Sequence, residues 1–269
     1  MTDGQRTSGD HRAMVTIGEV EVETAFQAPE ICGRPVVVFL HEGLGSLSIW
    51  RDFPSRLAKM TGCGALIYSR YGYGRSTVCE DGFQSDYMHR EALETLPALL
   101  DHFEIETPVL YGHSDGASIS LIHAGGSGRV VRGLIVEAPH VFVEPASLIG
   151  LDMALDAFQN QGLRESLARH HENADLTFSN WHAVWGSQAF RDWNLEGFLP
   201  AIQAPVLLIQ GAEDAYGSLD QLDAIQRGVS GHWEQEVLSP CGHSPHREMT
   251  DRVLDRVSGF VGALIAPST

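Results

Sequence analysis

The sequence predicts an α/β fold, with a mostly parallel central sheet of about eight strands, helices on both faces, and a helical segment inserted before the penultimate strand. Two observations carry this prediction. Short, continuous apolar runs recur along the 269 residues, separated by stretches with helical spacing. Strands buried on both faces read as such continuous runs, whereas half-exposed strands alternate. One long segment, by contrast, has helix-like stretches and no strand signal.

In chain order, Val15 to Phe26 alternates enough to predict an opening antiparallel hairpin or edge strands. Pro35-Val36-Val37-Val38-Phe39-Leu40 is an apolar run with β-branched residues, hence a buried strand. Ala65-Leu66-Ile67-Tyr68, Val109-Leu110-Tyr111, Leu134-Ile135-Val136 and Val206-Leu207-Leu208-Ile209 repeat that signature, and Glu234 to Leu238 supplies a last strand. Helical patterns lie between them at Ile49 to Met60, Tyr87 to Phe103, Ala117 to Gly126, Leu219 to Arg227 and Asp251 to Leu264.

The alternation breaks between Pro145 and Pro200. A structureless loop of that length is rare in a compact domain, so residues 145–200 are expected to form a helical cap, with 1–144 and 201–269 as the core domain. Seven aromatics fall here: Phe158, Phe178, Trp181, Trp185, Phe190, Trp193 and Phe198. They either form the cap's own small core or present an apolar wall to a pocket.

The composition sets bounds on partners. A formal net charge of -17 leaves no basic stripe to neutralise phosphates, which argues against a nucleic acid, and an anionic membrane surface is equally unsuited. Met1 to Arg12 is polar with no apolar core after a basic start, so no signal peptide is expected, and no apolar run approaches a membrane span. The four cysteines, Cys32, Cys63, Cys79 and Cys241, are scattered and read as reduced thiols, so the expected location is cytoplasmic. An exposed cap can pair two copies as a homodimer, but nothing in the sequence requires it.

The chemistry is concentrated at Gly112-His113-Ser114-Asp115-Gly116, which fits G-x-S-x-G. With 28 glycines in the chain, about a fifth of one such match is expected by chance. Context strengthens it: a strand signal precedes it and a helix rich in small residues follows, the setting in which a serine is held exposed in a strained bend. A serine hydroxyl needs a base, and the base needs an orienting acid. Asp214 follows the strand at Val206 in Gln210-Gly211-Ala212-Glu213-Asp214, and His243 follows the last strand in Cys241-Gly242-His243-Ser244-Pro245-His246. Each sits at the carboxyl end of a predicted strand, where open α/β sheets place their sites.

These pieces, together with Phe39-Leu40-His41-Glu42-Gly43-Leu44-Gly45-Ser46 and Tyr68-Ser69-Arg70-Tyr71-Gly72-Tyr73-Gly74-Arg75-Ser76, resemble the α/β-hydrolases from Val36 to about Val261. The resemblance implies Ser114 as nucleophile, Asp214 as acid and His243 as base, with Glu213 or Glu137 as alternative acids. It implies an oxyanion turn starting at His41, where the common His-Gly pair is His41-Glu42 and glycine is displaced to 43. The oxyanion amides are then Gly43 or Leu44 together with Asp115. His41, Trp181, Trp185 and His246 are expected at the substrate pocket, although His41 and His246 also suit structural roles. Arg70 and Arg75 are expected to tie loops together.

Cys241, His243 and His246 fall short of four ligands at metal-site spacing, and Gly72-Tyr73-Gly74 is no dinucleotide fingerprint. No metal and no cofactor are therefore expected. The implied activity is hydrolysis of a carboxylic ester or thioester of a small or medium, apolar or aromatic small-molecule substrate. The same machinery serves carbon–carbon hydrolysis of a ring-cleavage product, and a ligand receptor can retain it without turnover. Dehalogenases of this fold need aspartate where Ser114 stands.

Overall fold

A computed structural model describes residues 11–266. Residues 1–10, which hold most of the segment read as lacking a signal peptide, and residues 267–269 lie outside it. The chain opens with the expected hairpin, β1 (His11–Ile17) and β2 (Val20–Gln27), paired antiparallel with Ile17 opposite Val20. The two-residue turn holds Gly18 at φ +61°, a left-handed value that glycine adopts at little cost. Then follow β3 (Val36–Leu40), β4 (Gly64–Tyr68), β5 (Val109–His113), β6 (Gly133–Glu137), β7 (Val206–Gly211) and β8 (Trp233–Leu238).

The eight strands form one sheet in the order β1-β2-β4-β3-β5-β6-β7-β8. Pairing is antiparallel from β1 to β2 and from β2 to β4, and parallel from β4 through β8. Every residue of β3 to β7 is buried, which is why those strands read as unbroken apolar runs. At the edge, β8 alternates in exposure instead.

The described residues form ten α-helices: α1 (Phe53–Thr61), α2 (Tyr87–Arg90), α3 (Leu96–His102), α4 (Asp115–Gly126), α5 (Pro145–Asn160), α6 (Leu163–Leu167), α7 (Ala174–Gly186), α8 (Asp220–Gly228), α9 (Pro245–Glu248) and α10 (Thr250–Leu264). Alternate strand residues feed two cores, as the two-residue strand period requires. Val37, Phe39, Tyr111, Ile135 and Ile209 pack with α1 and α10, while Val38, Leu40, Leu110, Val136 and Leu208 pack with α3, α4 and α8.

Two expected helices are divided. The pattern at Ile49 to Met60 splits into a 3-10 turn (Leu47–Trp50) and α1, because Arg51 takes φ +53° and Pro54 fixes a new helix start. The pattern at Tyr87 to Phe103 is interrupted by a π-helical turn, Glu91–Thr95. Pro97 cannot donate to the Leu93 carbonyl, and the wider turn absorbs that missing bond.

Between β6 and β7 the chain carries α5, α6, α7 and two 3-10 turns, Gln188–Phe190 and Glu196–Ala201. Asn173 caps α7 by accepting the Leu176 amide at 3.0 Å, satisfying one of the free donors at that helix end. Phe178, Trp181, Trp185, Phe190 and Trp193 are buried in the same cluster as the α4 face of the sheet. They pack on one another as well, Phe190 stacking on Trp193 at 5.2 Å. These five aromatics are thus continuous with the core on the α4 side of the sheet rather than a separate core.

Candidate active site

Ser114 stands between β5 and α4 with φ 54° and ψ -116°, an unusual backbone for a residue with a side chain. Three hydrogen bonds hold the bend. The Ser114 amide donates to the Glu137 carbonyl at 2.8 Å, and its carbonyl accepts from Ala117 and Ser118 at 2.9 and 3.1 Å. The flanking glycines are steric necessities: a Cβ on Gly112 would strike the backbone of Gly116, and one on Gly116 would strike the Leu40 carbonyl.

His243 Nε2 lies 3.0 Å from Ser114 Oγ, and His243 Nδ1 lies 2.9 and 2.8 Å from the two oxygens of Asp214. The Asp214 carboxylate also accepts from Gln210 Nε2 at 2.7 Å and from the Tyr216 amide at 2.8 Å. Burial alone would raise its pKa, but the His243 hydrogen bond and charge and the Tyr216 amide outweigh that and hold it below the usual range. Asp214 is therefore an anion with its acceptors filled, and it directs the Nδ1 proton of His243 toward itself. Neither alternative acid reaches His243: Glu137 is committed to His246 and Tyr111, and Glu213 forms no side-chain hydrogen bond among the described residues.

The first residue of α4, Asp115, presents a backbone amide that donates to no protein acceptor among the described residues; the amides of Gly43 and Leu44 are likewise free. The Asp115 side chain is itself buried, at 1% exposure, and its Oδ2 accepts from Tyr87 Oη at 2.6 Å and faces Arg70 Nη2 at 3.4 Å. Burial raises its pKa even though the Arg70 charge opposes the shift. Arg70 also donates to the Glu42 carbonyl at 2.9 Å and lies 4.5 Å over the Tyr73 ring, tying loops together as expected. Arg75 is exposed.

The four expected pocket residues divide into two pairs. Trp181 and Trp185, both on α7, lie over the site: a Cβ on Gly43 would strike the Trp181 indole, and Trp185 Nε1 donates to Tyr87 Oη at 3.0 Å. His41 and His246 are corrections. His41 is fully buried, donates from Nδ1 to the Glu42 carbonyl at 2.7 Å and accepts the Arg70 amide on Nε2 at 3.0 Å. Both ring nitrogens are spent on the turn, and burial with the nearby Arg70 charge keeps the ring neutral. His246, on α9, is wedged against Trp50 and Phe53 on the α1–α10 face, with Nδ1 2.7 Å from Glu137 Oε1.

Two residues near His243 had no sequence signal. Tyr216 packs its ring 4.6 Å from that of His243. His140, 3% exposed, lies between Trp185 at 5.2 Å and His243 at 5.9 Å. Burial first, and the His243 charge second, push its pKa down to about 4.

One group among the described residues, His113, Glu137 and His246, brings ligand-type atoms within 4.8 Å of one another. Its groups are already committed: Glu137 accepts from the His246 amide and ring and from Tyr111 Oη, and His113 Nε2 is 2.7 Å from the His243 carbonyl. That is the chemistry of an internal hydrogen-bonded cluster, with Glu137 held at about 2; burial would raise it, but the neighbouring imidazoles prevail. Among the described residues no helix is long and apolar enough to cross a membrane.

Comparison with known proteins agrees with the architecture. The chain is 21% identical over 257 residues to a proline iminopeptidase of Lactobacillus delbrueckii subsp. bulgaricus, covering 80% of this chain and 86% of that one. Among solved structures it is similar to a 2-hydroxy-6-oxo-6-phenylhexa-2,4-dienoate hydrolase from Rhodococcus sp. strain RHA1, with TM-score 0.76, 17% identity and coverage of 94% and 99%. It is also similar to an esterase from Exiguobacterium antarcticum, with TM-score 0.70, 17% identity and coverage of 90% and 96%. The sequence model of the alpha/beta hydrolase family matches residues 37–256, which span every strand from β4 to β8 and all but the first residue of β3, and the chain belongs to that family.

Proposed function

We propose that this hydrolase cleaves a carboxylic ester or thioester of a small to medium apolar or aromatic substrate through an acyl-enzyme on Ser114. The observation that carries the reading is the continuous relay of Ser114 Oγ, the His243 ring and the Asp214 carboxylate, with links of 3.0 and 2.8 Å. His243 Nε2 takes the hydroxyl proton as Oγ attacks the carbonyl carbon, and Asp214 stabilises the imidazolium that forms. The negative oxygen of the tetrahedral intermediate is met by the amide of Asp115 and that of Gly43 or Leu44. Collapse expels the alcohol or thiol, which takes the proton from His243. Water then attacks the acyl group with His243 again as base, regenerating Ser114.

The buried aromatic layer of residues 145–200, read as a lid, supports an apolar acyl or aryl group. A second reading, release of an amino-terminal residue from a peptide, is favoured by the sequence similarity to proline iminopeptidase. The deciding experiment compares the protein and Ser114→Ala on p-nitrophenyl esters, acyl-CoA thioesters, prolyl p-nitroanilide and a vinylogous diketone. Ester or thioester turnover that vanishes in the variant supports the proposal. Preferential anilide or diketone turnover replaces it with the peptidase or carbon–carbon reading, and ligand binding without any turnover replaces it with a receptor.

A further inference from the structure

We infer that the buried His113 and the partly buried Glu42 form an ion pair that ties the turn after β3 to the loop bearing His243, making both of them positioning residues for the base. The inference rests on the serine-hydrolase reading, since it concerns how His243 is held.

The geometry is a three-point strut. His113 is fully buried at the end of β5, one residue before Ser114. Its Nδ1 lies 3.5 Å from Glu42 Oε2, an ion-pair separation. Its Nε2 donates to the His243 backbone carbonyl at 2.7 Å. A neutral imidazole carries one N–H and can serve only one of these partners as donor; the imidazolium serves both. The same ring therefore fixes the base loop relative to the nucleophile, and Glu42 supplies the countercharge. The amides on either side of His243, Gly242 and Ser244, donate to Glu248 at 2.7 and 3.0 Å, so the base loop is gripped on its amides by Glu248 and on its carbonyl by His113.

The surroundings favour the charged ring. His113 is faced by Glu42 from the turn after β3, Glu137 from β6, His243 from the loop after β8 and His246 from α9, with neutral His140 farther off. Burial would lower the His113 pKa, but the Glu42 contact, the Glu137 charge and the His243 carbonyl together raise it to about 9. Glu42, with His41, His113 and His246 around it, is held below the usual carboxylate range in spite of burial. The sign follows. The strut is complete below pH 9 and is lost as pH rises through about 9, when His113 gives up its second proton.

The test uses a fluorophosphonate probe, which reports nucleophile and base together without requiring the natural substrate. Labelling rate is measured against pH for the wild-type protein, His113→Gln, Glu42→Gln and Ser114→Ala, each checked for folding by circular dichroism. The expected wild-type profile falls around pH 9. His113→Gln, which cannot titrate there, should label about 10- to 100-fold more slowly at neutral pH, the scale of a base displaced by a fraction of an ångström to an ångström, and should lose that alkaline limb. Glu42→Gln should keep the limb but move it to lower pH. A purely structural role would lower the melting temperature and leave the limb in place. A folded His113→Gln that labels at the wild-type rate, or that retains the wild-type alkaline limb, overturns the inference, and so does a Glu42→Gln profile superimposable on wild type. Should His113→Gln fail to fold, the Glu42→Gln profile decides alone. Unchanged labelling of Ser114→Ala would instead overturn the serine-hydrolase reading, which keeps the two failures distinct.

Discussion

Replacing Asp214 by asparagine changes one atom and removes one acceptor, and the surroundings dictate how the side chain must sit. Three donors converge on the carboxylate: the Tyr216 amide on Oδ1, Gln210 Nε2 on Oδ2, and His243 Nδ1 between the two. The Tyr216 donor is backbone and cannot be reversed, so the asparagine oxygen stays at the Oδ1 position. Its NH2 group then points at Gln210 and His243, and relief comes when His243 accepts through Nδ1. That places the ring proton on Nε2, facing Ser114 Oγ 3.0 Å away, where a proton acceptor is required. With the wrong tautomer favoured, activity should drop about 10³- to 10⁴-fold, as tautomer-inverting substitutions do in serine triads. In barrier terms that is about 4–5.5 kcal/mol. The assay is the rate of p-nitrophenyl ester hydrolysis and of fluorophosphonate labelling at neutral pH, with chemical denaturation to show that the variant is folded. A folded Asp214→Asn protein within about tenfold of wild type would refute the tautomer argument.

Other predictions follow from single contacts. Gly116→Ala should lower stability by about 2–3 kcal/mol in denaturant titration, because its Cβ meets the Leu40 carbonyl, which belongs to a central strand and cannot yield. Tyr87→Phe removes the hydroxyl that joins Trp185 to Asp115, leaving the buried indole N–H without an acceptor; a loss of about 1–3 kcal/mol is expected, with slower turnover from a displaced Asp115. His140 is held neutral with its pKa near 4, so the folded state binds fewer protons than the unfolded chain between there and the ordinary histidine range. Its contribution is intact above that range and lost as pH falls toward 4, about 3 kcal/mol in all, and His140→Gln should flatten the acid side of a stability-versus-pH curve by that order.

The legible parts of this molecule are those whose physics is local. The strands β3 to β7 are buried on both faces, so each announces itself as an apolar run, and β8 was visible through its boundaries although it alternates. Ser114, Asp214 and His243 were singled out because each follows a strand at the sheet's carboxyl edge, and the structure brings their side chains together. Contacts between distant side chains left no comparable trace. Nothing in the spacing links Tyr87 to Asp115, 28 positions apart, or His113 to His243, 130 positions apart. His41 and His246 were misread for the same reason: a histidine beside a catalytic motif reads alike whether it faces a pocket or is spent on a turn. Burial and the Arg70 and Glu137 contacts decide that, and they emerge only on folding. The division of the Tyr87–Phe103 pattern had its cause in view at Pro97, whose missing donor favours the π-helical turn.

The proposed chemistry stands on activation of Ser114 by His243. Intact-protein mass spectrometry after fluorophosphonate treatment, with peptide mapping, tests it most directly. One adduct per chain is expected, on Ser114, that disappears in Ser114→Ala and is strongly slowed in a folded His243→Ala. An adduct mapped to another residue, or a Ser114→Ala protein that still labels and still hydrolyses p-nitrophenyl esters at the wild-type rate, would contradict it.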